Sequence, residues 1–287
     1  MKKAFSLALT ILITTFTHSL KAQTLSGSTL WEISGNNLAS PSYLFGTIHI
    51  IDTKHFVVNK QTDSVFNLTS RVAFEIKLDD VTMMHTFQQW ATLPDAGTLK
   101  DFCTISEYTK MQRYFKDSLQ TDIESLQNQK PFILYQQQIS NLISNDQASY
   151  DLHFLTKSMA AKKEIVGLEL LTDQLHIFDI IPYEEQIDWI VSGIDSVAKN
   201  DSYFDELIQA YLAGDLHQLN KIMTEDSPEL KKYEDLFLTN RNANWMPRIT
   251  TMINEKSTFI AVGAGHLTGE NGLLQLLINA GYTVTPL

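Results

Sequence analysis

The chain has 287 residues, a net charge of −11 and a single cysteine, Cys103. An acidic surface repels nucleic acid and anionic lipid, so the charge argues against both as partners and favours neutral or cationic ones. One cysteine cannot form an internal disulfide, and the length is enough for one large domain or two small ones.

The N-terminal segment, residues 1–22, has the layout of a secretory signal peptide. A basic start, MKK, precedes the apolar run AFSLALTILITTF, and a polar stretch then offers a cleavage site after Ala22. The run is shorter than the about 20 residues of an ordinary membrane span. We therefore expect an exported mature chain, 23–287, that is periplasmic or secreted and is not inserted in a membrane. The alternative is an amphipathic first helix.

Strand-like segments follow at the start of the mature chain. TLWEISG and SYLFGTI are joined by the turn-rich NNLASPS, which predicts a hairpin. The stretch KQTDSVFNLTS predicts a short helix, and RVAFEIKL, rich in β-branched and aromatic residues, predicts a third strand.

Helical spacing dominates from about residue 80 to 254, interrupted by one predicted strand, KEIVGLEL. The last segment returns to alternation, since STFIAVGAGH, ENGLLQLLINAG and YTVTPL predict a strand, a helix and a strand. This order implies a right-handed crossover and a locally parallel sheet. The predicted fold is therefore α/β, a single domain whose mixed sheet is built from both termini, with a large helical insertion.

Two predicted strands share one unusual ending. SYLFGTIHIID places Gly46 and then His49 after an apolar run, and FIAVGAGHLTGENG places Gly263 and His266 in the same way. Glycine allows backbone angles closed to other residues and lets a ligand approach closely. One such loop is more often structural, but two of them predict halves of one site at the strand ends, where open α/β sheets bind ligands.

Glu75 lies within the apolar strand VAFEIKL, where a carboxylate cannot stay charged without a partner. The partner is either a lysine or arginine, a metal ion, or a histidine that Glu75 orients. Two imidazoles and a carboxylate suit divalent ions such as zinc, manganese, iron or cobalt. His49, His266 and Glu75 are therefore candidate metal ligands.

Further candidates lie in the predicted helical region. In LTNRNANWMPRI, helical spacing places Arg241, Trp245 and Arg248 on one face. Arg241 has either a structural carboxylate partner or a ligand oxyanion to hold. Asp151 begins a predicted helix, which favours a role as its cap, and Glu169 follows a predicted strand; both are also site candidates.

The segments LFGTIHIID, AFEIKL, DLHFLTKSMAAKKEIVGLELLTDQ, TNRNANWMPRI and VGAGHLTGENGLLQLLINAGYTV together resemble the TraB/PrgY/GumN family, which includes the Tiki proteins. The hallmark of that family is a pair of Gly-x-x-His motifs with an intervening Glu and Arg. The resemblance implies a fold distantly similar to the erythromycin-esterase and ChaN-like group. For the Tiki branch it also implies metal-dependent proteolysis.

The sequence and the resemblance together predict an exported metal-dependent hydrolase that acts on a peptide or protein. An ion of Mn, Co or Zn would be bound by His49 and His266, with Glu75 as a ligand or as the base for its water. Arg241 would hold a substrate carboxylate or the oxyanion formed on attack. The alternatives are a non-catalytic protein that sequesters a peptide or a haem-like ligand, and a metal-free esterase.

Overall fold

The computed structural model describes residues 27–143 and 146–287, so the predicted signal peptide lies outside the described residues. Within these ranges the chain forms eight strands. They are β1 (Leu30–Ser34), β2 (Ser42–Thr47), β3 (Ile51–Asp52), β4 (Arg71–Ile76), β5 (Gln147–Ala148), β6 (Glu164–Glu169), β7 (Thr258–Gly263) and β8 (Thr283–Pro286).

Twelve helices occupy the same described ranges. They are α1 (Lys60–Leu68), α2 (Met83–Trp90), α3 (Ile105–Leu119), α4 (Pro131–Ile143), α5 (Tyr150–Ala160), α6 (Leu171–Ile180), α7 (Tyr183–Asp195), α8 (Val197–Leu212), α9 (Leu216–Thr224), α10 (Pro228–Lys232), α11 (Asn240–Glu255) and α12 (Leu273–Asn279). A π-helical turn, Asp235–Thr239, leads directly into α11.

Six of these strands form one mixed sheet in the order β6-β4-β7-β2-β1-β8, while β3 and β5 pair separately. The neighbours from β6 to β2 are parallel, and β1 is antiparallel to both β2 and β8. The mixed α/β fold and the β1–β2 hairpin predicted from the sequence are therefore confirmed. All six sheet strands fall within segments predicted as strands.

The crossover after β7 differs from the simplest prediction. β8 runs parallel to β7 but is not its neighbour, because β2 and β1 lie between them. The hairpin already occupies the position beside β7, so the last strand adds at the outer edge, antiparallel to β1. The predicted parallel direction is right, and the predicted local pairing is wrong.

The main core packs helices against the sheet, because the central strands are apolar on both faces. Ile260 in β7 and Phe74 in β4 are almost fully buried, as are Phe154 in α5 and Ile249 in α11. Between residues 80 and 254, a second core holds α3, α4 and α7 together. β6 lies between α4 and α7 in the chain, α2 follows β4 and α6 follows β6, so helices of this region lie beside the carboxyl ends of these strands.

Candidate functional site

The carboxyl ends of four parallel strands, β2, β4, β6 and β7, lie on the same side of the sheet. Each strand places one candidate side chain there. His49 follows β2, His266 follows β7, Glu75 lies near the end of β4 and Glu169 is the last residue of β6. Because parallel strands bring their carboxyl ends together, residues distant in sequence meet on this side of the sheet. The structure thus brings together both Gly-x-x-His motifs.

Glu75 lies at the centre of the group and is only 5% exposed. Its Oε1 accepts a hydrogen bond from the backbone N–H of Gly263 at 2.8 Å. Its Oε2 accepts one from Gln174 at 2.9 Å and one from Nη2 of Arg241 at 2.6 Å. Burial favours the neutral acid, but His49 and Arg241 outweigh it, so the pKa of Glu75 is lowered and the carboxylate is ionised.

His49 is held by a second carboxylate. Its Nδ1 donates to Oδ2 of Asp151 at 2.8 Å, which leaves Nε2 facing Oε1 of Glu75 at 3.7 Å. Desolvation lowers the pKa of His49, but the Asp151 hydrogen bond and the charge of Glu75 exceed that effect and raise it to about 9. In this arrangement His49 is therefore a cation between two carboxylates.

His266 has the opposite environment, since it is 4% exposed and its partner is an amide. The amide nitrogen of Asn242 donates to the carbonyls of His266 and Asn271, so its Oδ1 must accept from Nδ1 of His266, at 2.7 Å. Desolvation and Arg241 lower the pKa of His266 to about 3, against the opposing charge of Glu75. His266 is neutral, and Nε2 carries its lone pair.

That Nε2 lies 3.7 Å from Oε1 of Glu75 and 3.1 Å from Nη1 of Arg241. Arg241 uses all five of its N–H donors within the protein. Nε and Nη2 donate to Glu169, Nη2 also donates to Glu75, and Nη1 donates to the carbonyl of Phe237 and to His266. The sequence left Arg241 with either a structural carboxylate partner or a ligand oxyanion, and the structure shows the carboxylates of Glu75 and Glu169. A role for Arg241 on a substrate stays a prediction, and it requires one of these bonds to break.

The face of α11 that carries Arg241 is aromatic. The guanidinium lies 4.8 Å from the ring centre of Trp245, whose indole N–H donates to Glu169 at 3.0 Å. The ring of His266 also lies against Trp245, with centroids 4.4 Å apart. Arg248, predicted on the same face, is exposed instead.

The two motif glycines provide space, not unusual backbone angles, because neither has a positive φ. A Cβ at Gly46 would lie 3.0 Å from the backbone of Ala264, so this glycine serves close packing. A Cβ at Gly263 would lie 3.3 Å from Oε1 of Glu75 and 3.7 Å from Nε2 of His49. The space beside Gly263 is therefore where the two histidines and the carboxylate meet.

Two residues act differently from the sequence-based expectation. Asp151 does not cap α5; Ser149 does, and this leaves the Asp151 carboxylate to bind His49. Asn242 was missed. The available signal was an amide on the same helical face as Trp245 and Ile249, where a polar side chain needs a buried partner.

The donor set can be tested against a divalent ion. Two imidazole Nε2 atoms and one carboxylate oxygen are donor types that zinc, manganese and cobalt take, and each Nε2 lies 3.7 Å from Oε1 of Glu75. An ion at His266 would have to displace the Arg241 hydrogen bond. Among the described residues no group of three or more His, Cys, Asp or Glu side chains forms a compact ligand cluster. The donor types and the space beside Gly263 fit a metal ion, but the three side chains are farther apart than in a formed metal site.

A cavity of about 690 Å³ opens above these residues. His49, Glu75, Arg241 and His266 lie on its polar floor, and its walls come from the helices around the carboxyl ends of the strands. A large apolar cavity with a few convergent polar groups is the usual form of a small-molecule or peptide site.

Comparison with known proteins gives relatives that are metalloproteases by name. The chain is 22% identical to metalloprotease TIKI1 of Danio rerio over 90% of this chain and 62% of that protein. It is 22% identical to metalloprotease TIKI2 of Xenopus tropicalis over 92% and 60%, respectively. The chain is also 22% identical to metalloprotease TIKI1 of Homo sapiens, over 90% of this chain and 61% of that protein. The chain thus spans about three fifths of the length of these relatives.

No solved structure matches the chain, so the expected likeness to the erythromycin-esterase and ChaN-like group stays a prediction. The family comparison covers the whole described fold. A profile of the TraB/PrgY/gumN family matches residues 29–286, a range that includes both Gly-x-x-His motifs, Glu75 and Arg241. The chain belongs to the TraB/PrgY/gumN family.

Proposed function

We propose that the chain is a metal-dependent hydrolase that cleaves a peptide bond. The observation that carries the proposal is the convergence of Nε2 of His49 and Nε2 of His266 on Oε1 of Glu75, each at 3.7 Å. Distant relatives named metalloproteases support the same reaction class. The apolar cavity above the three side chains provides room for a substrate.

His49, His266 and Glu75 would hold a Mn, Co or Zn ion through Nε2, Nε2 and Oε1. His49 is a cation without the ion, so it would have to release its Nε2 proton when the ion binds. When bound, such an ion supplies Lewis acidity that polarises the scissile carbonyl and makes water a nucleophile near neutral pH. The chain itself sets the geometry. Asp151 and Asn242 hold the two Nδ1 atoms, so both rings turn Nε2 toward Glu75.

The other oxygen of Glu75 has a structural role. Gln174 and Arg241 both donate to Oε2, which fixes the carboxylate plane and leaves Oε1 facing the histidines. This favours Glu75 as a ligand over Glu75 as a base. Arg241 also balances the charge of Glu169, so two carboxylates can lie side by side in a buried position.

We further propose that the protein works outside the cytoplasm, because residues 1–22 have the layout of a signal peptide. Its substrate would be a peptide or protein and not a nucleic acid, given the net charge of −11. Helices in the described part of the chain are too short or too polar to cross a bilayer.

The test is peptide-library digestion by purified protein, with products identified by mass spectrometry. Activity is expected to disappear with a chelator and to return with Mn²⁺, Co²⁺ or Zn²⁺. His49→Ala and His266→Ala should abolish cleavage, whereas His217→Ala, at an exposed position on α9, should not. Cleavage that survives in both site variants overturns the proposal. Stoichiometric binding without product would identify a sequestering protein, and chelator-resistant ester cleavage a metal-free esterase.

A further inference from the structure

The walls of the cavity differ sharply from its floor. Apolar side chains from α2, α4, α6 and the π-helical turn surround the polar group. They include Met83, Phe87, Phe132, Leu175, Phe178 and Phe237. The Phe132 and Phe178 rings stack with centroids 3.5 Å apart, which joins α4 to α6 as one continuous wall.

The charged groups of this cavity are all on the floor. Among the described lining residues, the ionisable side chains are those of His49, Glu75, Arg241 and His266. Each of them is already hydrogen-bonded or ion-paired inside the protein. A substrate carboxylate or ammonium group that entered the cavity would therefore lose its water without gaining a partner on the walls.

From this contrast we propose the substrate class: an internal, uncharged segment of a polypeptide, with a bulky apolar side chain seated against the wall. The absence of a charged wall residue argues against recognition of a free N- or C-terminus, so the cleavage is endoproteolytic. The catalytic half of this inference rests on the proposed function, whereas the binding half stands on the cavity alone.

The wall also explains how different apolar side chains fit one cavity. Met83 on α2 and Met223 on α9 both line it, and unbranched thioether side chains adapt to neighbours of different shape. We therefore expect a preference for large apolar residues as a class, Phe, Leu and Met among them, without strict selection of one.

The experiment uses four peptides that differ at one central position, which is Phe, Leu, Lys or Glu. Each is made with free termini and with acetyl and amide caps. Binding to the full protein is measured by calorimetry, and cleavage is followed by mass spectrometry. Capped Phe and Leu peptides should bind about tenfold or more tightly than the Lys and Glu peptides, as expected for burial of one large apolar side chain. Caps should not weaken binding.

A charge placed in the wall gives the matched test. Met83→Lys should lower affinity for the Phe peptide and raise affinity for the Glu peptide. Met159→Lys, at a 61% exposed position on α5, should change neither. Equal binding of all four peptides, tighter binding with free termini, or no binding at all overturns the inference. The expected binding order without any product overturns the proposed function and leaves the substrate class standing.

Discussion

Nδ1 of His49 donates a 2.8 Å hydrogen bond to Oδ2 of Asp151, which ties the loop after β2 to the first turn of α5. The side chain of Thr47 reaches the other carboxylate oxygen at 3.4 Å. Ser149 caps the helix, so Asp151 has no capping role that competes with this contact. The orientation of His49 therefore depends on a residue 102 positions away.

If His49 is a metal ligand, Asp151→Ala should weaken divalent metal affinity about 10- to 100-fold, as is usual when a ligand histidine loses its supporting carboxylate. Asp151→Asn should lose less metal affinity, because an amide oxygen can still accept the hydrogen bond from Nδ1 of His49. Titration of Mn²⁺ or Zn²⁺ by calorimetry measures both, with Asp173→Ala, exposed on α6, as the control. Unchanged metal affinity in Asp151→Ala would contradict the assignment.

Asn242→Leu should lower the free energy of unfolding, because it removes partners from Nδ1 of His266 and from the carbonyls of His266 and Asn271. Each buried polar group left unpaired costs about 1–3 kcal/mol. Asn244→Leu, exposed on the same helix, should have little effect. Urea unfolding of the two variants decides the matter: similar midpoints would show that the Asn242 contacts are not needed.

Gly263→Ala should lower metal binding and activity, whereas Gly46→Ala should lower stability. Gly263 has φ −51, which alanine tolerates, but the new methyl would enter the space between Glu75 and His49, so metal binding and activity should fall while stability holds. At Gly46 the methyl would press on Ala264 and Leu267 in the core, so stability should fall. Thermal unfolding and metal titration, run on both variants, test this separation. Equal loss of stability in both is the contrary result.

Arg241→Ala should destabilise the fold strongly, since it leaves the carboxylates of Glu75 and Glu169 buried together without their shared cation. Removing one partner of a buried ion pair costs about 3–5 kcal/mol. Arg241→Lys should recover only part of this, because a single ammonium cannot reach all the acceptors of the guanidinium. Arg248→Ala, exposed on the same helix, is the control. A wild-type unfolding midpoint for Arg241→Ala would refute the argument.

His153 gives a pH-dependent prediction away from the site. Desolvation, aided by Lys157, lowers its pKa below 6.5 against the opposing charge of Asp63, and Nε2 lies buried without a partner next to Phe56. The unfolded chain therefore binds this proton more readily than the folded one, so its contribution to stability is present above pH 6.5 and lost as the pH falls.

His153→Phe should remove that contribution. The difference in unfolding free energy between the variant and the wild type should shift in favour of the variant as the pH decreases from 7.5 to 5. Guanidinium unfolding at several pH values measures it. A difference that does not vary with pH would show that His153 does not titrate as described.

The site was predictable where local pattern and topology coincide. An apolar run that ends in Gly-x-x-His identifies a strand and the loop at its carboxyl end, so Gly46, His49, Gly263 and His266 were found from the sequence. A carboxylate inside an apolar strand likewise identified Glu75, because burial demands a partner. Asp151, Glu169 and Arg241 were also candidates, but which group each of them contacts was not predictable, since hydrogen bonds between distant segments leave no periodic signal.

The sequence by itself determined the six strands of the main sheet, the helices α1 and α12, and the residue types available for a metal or a proton, because those follow from local apolar periodicity and side-chain chemistry. Tertiary structure alone decided that Asp151 accepts a hydrogen bond from His49, which makes His49 cationic. Likewise, it decided that His266 is buried beside Arg241, which makes His266 neutral. It also decided that Arg241 lies between two carboxylates and that β8 pairs at the sheet edge. These outcomes depend on which buried groups can form hydrogen bonds and ion pairs at the same time, and that is determined only when the whole chain is packed.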